Sequence, residues 1–210
     1  MNQLITFEGA DGCGKSTQLQ LTTAWLRHQG KQVLQTKQPG GTPLGVEIRR
    51  MLLSGEFTPI PECELLMFLA DRAQHVKEVI QPALQAGVWV LCDRYSDSTL
   101  AYQLAARGLD EKLDLTAMLA FAEAGCVPHQ TFWFDVSIEI AMLRLEKRQQ
   151  AGEQANRLDD EVMAFHQRVH QAFGHIYQVN QERIIRLDAS ASIETIQQQI
   201  QQIIQKKIRC

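Results

Sequence analysis

Gly9-Ala10-Asp11-Gly12-Cys13-Gly14-Lys15-Ser16 fits the pattern G-x-x-x-x-G-K-[ST], and it lies between a short apolar run, Leu4 to Phe7, and a stretch of helical periodicity over 15–29. Its glycines let the backbone wrap so that N–H groups point inward at phosphate oxygens, and the positive end of the following helix adds to that field. In this pattern Lys15 bridges the β- and γ-phosphates of a nucleotide and Ser16 holds Mg2+. A glycine-rich turn that only joined strand to helix would need neither the lysine nor the hydroxyl. Gly9 to Ser16, with Thr17 after them, form the expected cradle, and Cys13 reads as a small filler within it rather than a reactive thiol.

Working outward, four further runs rich in branched and aromatic residues occur: Gln32 to Thr36, Val88 to Cys92, Thr131 to Asp135 and Arg183 to Leu187. Helical patterns lie near 44–54, 62–86, 96–106, 111–124, 137–150, 159–179 and 192–208. Strand and helix in alternation signal βαβ units on a parallel sheet. The expected fold class is α/β: a three-layer P-loop NTPase fold, a five-stranded parallel sheet flanked by helices, over one domain, 1–210. Leu21, Ala24 and Trp25 share one face of the first helix, and Ile193, Ile196, Ile200 and Ile203 make an apolar stripe on the last. That stripe covers about two heptads where a coiled coil usually takes three or four, so it reads as packing on the sheet. Gln38-Pro39-Gly40-Gly41-Thr42-Pro43 and the Gln-rich stretch Gln149 to Asn156 break the rhythm and read as surface loops able to close over ligands.

The 210 residues are 45% hydrophobic and 21% charged, which excludes disordered and fibrous classes. A net charge of −3 leaves no basic field for nucleic acid. No basic leader and no run near the ~18 apolar residues of a bilayer span is seen, so a cytoplasmic protein with no membrane partner is expected. Cys13, Cys63, Cys92, Cys126 and Cys210 are scattered and odd in number, and read as reduced thiols. His166 and His170 sit four apart on a helix without a third ligand, which argues for a solvated face rather than zinc.

The phosphate motif alone leaves GTPases, motor ATPases and kinases open. No N-K-x-D element, the base reader of switch GTPases, occurs in the sequence. Asp93-Arg94-Tyr95 follows Val88 to Cys92, so a carboxylate and a guanidinium emerge at the carboxyl edge of the sheet, where ligands of open α/β folds bind. Asp93 then helps organise Mg2+ or its water, and Arg94 forks onto an acceptor phosphate. The alternative is an Asp-Arg pair that merely caps a strand-to-helix turn.

Pro39-Gly40-Gly41-Thr42, Leu65-Leu66-Met67-Phe68-Leu69-Ala70-Asp71-Arg72, Asp93-Arg94-Tyr95 and Ala101-Tyr102-Gln103 follow the phosphate motif in the order and spacing of bacterial thymidylate kinases. From Ile5 to its final helix the chain resembles that family. The resemblance implies phosphorylation of dTMP to dTDP by ATP with Mg2+, in dTTP biosynthesis, by a homodimer. It implies that Phe68 stacks on thymine, Arg72 reads the base edge, and Ser98, Thr99 and Gln103 lie along the base. It further implies that Arg94 holds the acceptor phosphate with Arg49 nearby, that Asp11 reaches the sugar 3′-hydroxyl, and that Tyr102 crowds the 2′ position. Gly12 stands where one type of the family carries a catalytic arginine, so the chain is similar to the type that keeps it in a lid, here about 149–158. Asn156-Arg157-Leu158-Asp159 matches the lid's closing motif, which makes Arg157 the first candidate and Arg148 the second, with Arg144 and Lys147 nearby. Lys37-Gln38 departs from the usual Arg-Glu, removing a carboxylate often placed near the acceptor phosphate and magnesium. Leu104-Ala105-Ala106 replaces a glycine-rich run before Arg107-Gly108. A nucleotide-binding protein that has lost transfer is the competing reading that Gln38 encourages.

Overall fold

The structure, a computed structural model, describes residues 3–109, 115–152, 156–159 and 161–209. Strands β1 (Leu4–Glu8), β2 (Val33–Lys37), β3 (Trp89–Asp93), β4 (Gln130–Asp135) and β5 (Ile184–Asp188) form one parallel sheet in the order β2-β3-β1-β4-β5. Helices α1 (Lys15–His28), α2 (Pro43–Leu53), α3 (Pro61–His75) and α4 (Gln81–Gln85) belong to the first half. Helices α5 (Ser96–Thr99), α6 (Thr116–Glu123), α7 (Ile138–Gln150), α8 (Met163–Val179) and α9 (Ile193–Arg209) complete the α/β architecture.

The strands stand where the apolar runs put them, but β1, β2, β3 and β5 each continue to a polar residue: Glu8, Lys37, Asp93 and Asp188. Apolar patterning ends with the core, whereas the hydrogen-bond ladder runs on to the carboxyl edge. Register sets Phe7 and Lys37 on either side of Asp93 at that edge. The chain leaves β1 outward to β2, returns to β3, and crosses β1 to reach β4. Ligands of open α/β sheets bind at such a switch point, and the glycine-rich loop after β1 occupies it.

Side chains of β1 alternate with the period of a strand. Ile5 and Phe7 pack with Leu19, Leu26, Ile196, Ile200 and Ile204 of α1 and α9, while Leu4 joins Val76 and Ile80 on the other face. Phe7 stacks on Phe134 at 5.9 Å and tilts against Phe132 at 5.7 Å. The face expected for α1 is corrected: Leu21 is 39% exposed, and Gln18, Leu19, Thr22, Thr23 and Leu26 are buried instead. Polar residues enter that interface with part of their groups paired: Thr22 donates to Gln197 Oε1 (3.2 Å) and Gln18 Nε2 to the carbonyl of Ile193 (2.8 Å), while Gln18 Oε1 and Gln197 Nε2 find no partner among the described residues. Correspondingly, Ile193 is exposed and the stripe of α9 runs through Ile196, Ile200 and Ile204.

Two long helical patterns are interrupted by wide π-helical turns, Val76–Ile80 after α3 and Leu100–Ala106 after α5. Such turns shift the phase of a helix face and recur at functional sites. The stretch 159–179 becomes regular helix only at Met163, and Gln149 and Gln150, where the expected helix 137–150 and the expected loop overlap, belong to α7. Within the expected helix 111–124 and lid 149–158, residues 111–114 and 153–155 lie outside the described residues, as does Cys210. Among the described residues no helix is long and apolar enough to cross a membrane.

Candidate functional site

The loop between β1 and α1 turns through positive φ at Gly9 (141°), Gly12 (79°) and Gly14 (95°). Gly12 also touches α7: a Cβ there would lie 2.3 Å from the carbonyl oxygen of Ala141. An arginine at position 12 would therefore meet both left-handed backbone and a clash. Lys15 is 6% exposed and donates to the carbonyls of Gly9 (3.0 Å) and Ala10 (2.8 Å) and to Cys13 Sγ (3.6 Å). Its ammonium thus rests on its own loop, beside the N-terminus of α1. Ser16 donates to Asp93 Oδ2 at 2.8 Å, which brings the carboxyl end of β3 to the first turn of α1.

Arg94 stands in left-handed backbone, φ 68°, directly after β3. For a residue with a Cβ this conformation costs on the order of 1–3 kcal/mol. Four partners fix it: Nη2 meets Asp11 Oδ1 (2.7 Å) and Tyr102 Oη (3.1 Å), and Nη1 meets the carbonyl of Gly9 (3.0 Å) and Ser98 Oγ (2.9 Å). Burial pushes the Asp11 carboxyl up, but Arg94 and Lys15, with hydrogen bonds from Arg94 and Tyr102, hold it well below the usual range. Glu8, buried at the end of β1, accepts from Ser98 Oγ and the Tyr95 amide, both at 2.6 Å. Burial and then Asp97 raise its carboxyl to about 7. Glu8 escaped the sequence reading because its partners lie 87 and 90 residues away.

Two cavities adjoin here. The wider, about 590 Å3, is lined by the loop 11–18, Asp93, Arg144, Lys147 and Arg148, and is the size of ordinary ligand sites. The narrower is lined by Phe68, Arg72, Ser98, Thr99, Tyr102 and Gln103, and includes Leu53 and Leu158. Asp11, Gln38, Arg49, Arg94 and Asn156 face both. Arg49 is held between them by its Nη1 bond to the Pro39 carbonyl, 3.1 Å.

In the narrower cavity Phe68 is half-buried and packs against the apolar cluster that contains Tyr102, Phe165 and Phe173. Arg72, 2% exposed, lies over the Tyr95 ring at 5.2 Å and donates through Nε to Gln38 Oε1 (3.0 Å) and through Nη2 to Thr99 Oγ1 (2.9 Å). The side-chain amide of Gln38 thus contacts both Arg72 and His75. Gln103 is buried and donates to Glu64 Oε1 at 2.9 Å. Glu64, on α3 and 1% exposed, also accepts from Arg107 Nε (3.2 Å) and Nη2 (3.1 Å). Burial pushes Glu64 up, and hydrogen bonds from Arg107, Gln103 and Arg157 outweigh it and hold the carboxyl below its ordinary value.

The candidate arginines stand in different surroundings. Arg157 lines neither cavity: Nη2 pairs with Glu64 and Nε donates to the Leu52 carbonyl at 2.9 Å. It ties the segment after residue 155 to α2 and α3. Arg144 and Arg148 of α7 line the wider cavity instead. His170, for its part, bonds Asp135 Oδ1 at 2.7 Å, and His166 is buried against Phe165.

Comparison with known proteins agrees with this geometry over the whole chain. The profile of the family "Thymidylate kinase" matches residues 7–200. The chain is 42% identical to thymidylate kinase of Nostoc punctiforme over 209 residues, covering 99% of this chain and 97% of that one. It is 44% identical to thymidylate kinase of Protochlamydia amoebophila, covering 97% and 92%. The crystal structure of thymidylate kinase from Ehrlichia chaffeensis superposes with a TM-score of 0.75 at 29% identity, covering 97% of this chain and 98% of that one. A glycine-rich loop, an aromatic slot beside it and two arginines shared between their cavities thus sit in a chain that belongs to the thymidylate kinase family.

Proposed function

We propose that this protein transfers the terminal phosphoryl group of ATP to dTMP, giving ADP and dTDP on the way to dTTP. The observation that carries this reading is that Arg49 and Arg94 face both cavities. A nucleotide in each then presents its phosphates to the same cations. An acceptor phosphate oxygen attacks the γ-phosphorus in line, the bond to the β-phosphate oxygen breaks, and no covalent enzyme intermediate forms. Because both partners are anions, the protein's work is to align them and offset their repulsion. Lys15 and the loop amides hold the donor, Arg94 with Arg49 the acceptor. Phe68 offers the base a face and Arg72 a polar edge.

Mg2+ belongs to the same proposal. Ser16 Oγ and the Asp93 carboxylate, 2.8 Å apart at the phosphate cavity, are oxygen donors of the kind Mg2+ takes when phosphates and water fill its other positions. Bound there, the ion would neutralise phosphate charge. One domain with a lid near 149–158, a cytoplasmic location and a homodimer complete the reading. Exposed Leu66 and Phe121 on the contacting helices α3 and α6 offer such a dimer an apolar face.

Formation of ADP across a panel of dTMP, dUMP, CMP, AMP and thymidine tests the acceptor. Highest kcat/KM with dTMP is expected, and a preference for any other acceptor overturns the assignment. For Phe68→Ala combined with Arg72→Ala, KM for dTMP rises at least tenfold, since stacking alone contributes about 1–3 kcal/mol. KM for ATP stays near wild type. Among the arginines, Arg148→Ala lowers kcat about 10³-fold if it stabilises the transferring group. Arg157→Ala chiefly destabilises the fold, by about 1–3 kcal/mol, because buried Glu64 loses a donor. Comparing kcat and thermal melts of the two variants checks the assignment.

A further inference from the structure

Gln38 stands where the family usually carries glutamate, and the residues around it explain what an amide does there. Arg72 offers only donors, so the Gln38 atom 3.0 Å from its Nε is the amide oxygen. The amide nitrogen then faces His75 Nδ1 at 3.0 Å, and Nδ1 must accept. His75 Nε2 consequently carries the ring proton and donates to Thr36 Oγ1 at 2.7 Å. Burial, and next Arg72, push His75 down to about 4, so the ring is neutral. Gly41 makes room for it: a Cβ there would lie 2.2 Å from Nε2. With Thr99 taking Nη2, one guanidinium nitrogen of Arg72, Nη1, is buried with no partner among the described residues, in a residue that lines the narrow cavity.

We infer that Gln38 is a positioning residue for base selection: the chain Thr36–His75–Gln38 fixes Arg72 through its Nε and leaves a guanidinium donor for a base that presents a carbonyl. This deepens the proposed function and rests on it. A glutamate at 38 would still accept from Arg72 but has nothing to donate to His75 Nδ1, so His75 and residue 38 are a matched pair. A pyrimidine with a carbonyl at ring position 4 meets a fixed donor, whereas one with an amino group there meets donor against donor. Removing the chain frees the guanidinium to turn and weakens that distinction.

Long-range 1H–15N correlation on the free wild-type protein reads the His75 tautomer. The Nε2–H form is expected, and an Nδ1–H form overturns the inference. Kinetics give the second readout. Gln38→Leu raises KM for dTMP at least about tenfold and lowers the preference for dTMP over dCMP by a similar factor, with KM for ATP within about twofold. Gln38→Glu, which keeps the acceptor for Arg72, restores most of KM while converting His75 to a form protonated on Nδ1. Unchanged KM and unchanged preference in Gln38→Leu overturn the inference, as does a His75 signal unmoved in Gln38→Glu. The tautomer is read without substrate, so its failure strikes this inference alone. Absence of dTMP turnover by the wild-type protein strikes the proposed function.

Discussion

Lys15→Ala is expected to lower kcat about 10³-fold or more, the scale of deleting one preorganised donor from a site where charge develops. The ammonium now satisfies the carbonyls of Gly9 and Ala10 within a buried pocket, at 6% exposure. The Gly9 carbonyl still accepts from Arg94 Nη1 at 3.0 Å, and Ala10 is only half-buried, so the variant is expected to fold. What cannot be replaced is a positive charge that follows the γ-phosphoryl as it moves between two nucleotides. Lys15→Arg does not restore activity, because a planar fork cannot occupy the place of a compact ammonium. Steady-state rates on folded protein, verified by circular dichroism, check the pair. A kcat within tenfold of wild type for Lys15→Ala would remove the phosphate cradle from the mechanism.

Arg94→Ala is the second large effect: kcat/KM for dTMP falls by about 10³, with KM for ATP changed far less. Two losses combine. The acceptor phosphate loses its fork, and Asp11 loses the cation 2.7 Å away that keeps it ionised. Breaking a buried pair on one side typically costs about 3–5 kcal/mol; with Arg94 and Asp11 side chains 17% and 24% exposed, the lower end applies here. Arg94→Gly separates chemistry from backbone. Glycine has no objection to φ 68°, so this variant melts higher than Arg94→Ala yet is equally inactive. If Arg94→Gly retained dTMP turnover, the guanidinium would be structural only.

Much of this was legible along the chain. The cradle Gly9 to Ser16 and the strands are local patterns, whereas the order β2-β3-β1-β4-β5 is seen only in the structure. The turn at Arg94 was located by the end of an apolar run. What sequence spacing concealed were partners brought together by the sheet and by α3. Glu8 with Ser98, Glu64 with Arg107 and Arg157, and Gln38 with Arg72 are 90, 43, 93 and 34 residues apart. Arg157 stands in the segment matched to the lid motif, yet its side chain pairs with the buried carboxylate of Glu64 on α3, a partner that no local motif reveals. The π-helical turns were hidden for a related reason. A single wide turn leaves composition unchanged and shows only in which faces meet the core.

In the proposed reaction two nucleotides lie head to head and one phosphoryl group passes directly between them. Single-turnover reaction of the wild-type protein with γ-labelled ATP, Mg2+ and dTMP tests it most directly. The label is predicted to appear in dTDP, with none on the protein and little as free phosphate. Label recovered only as inorganic phosphate, or held covalently by the protein before dTDP forms, would contradict the account.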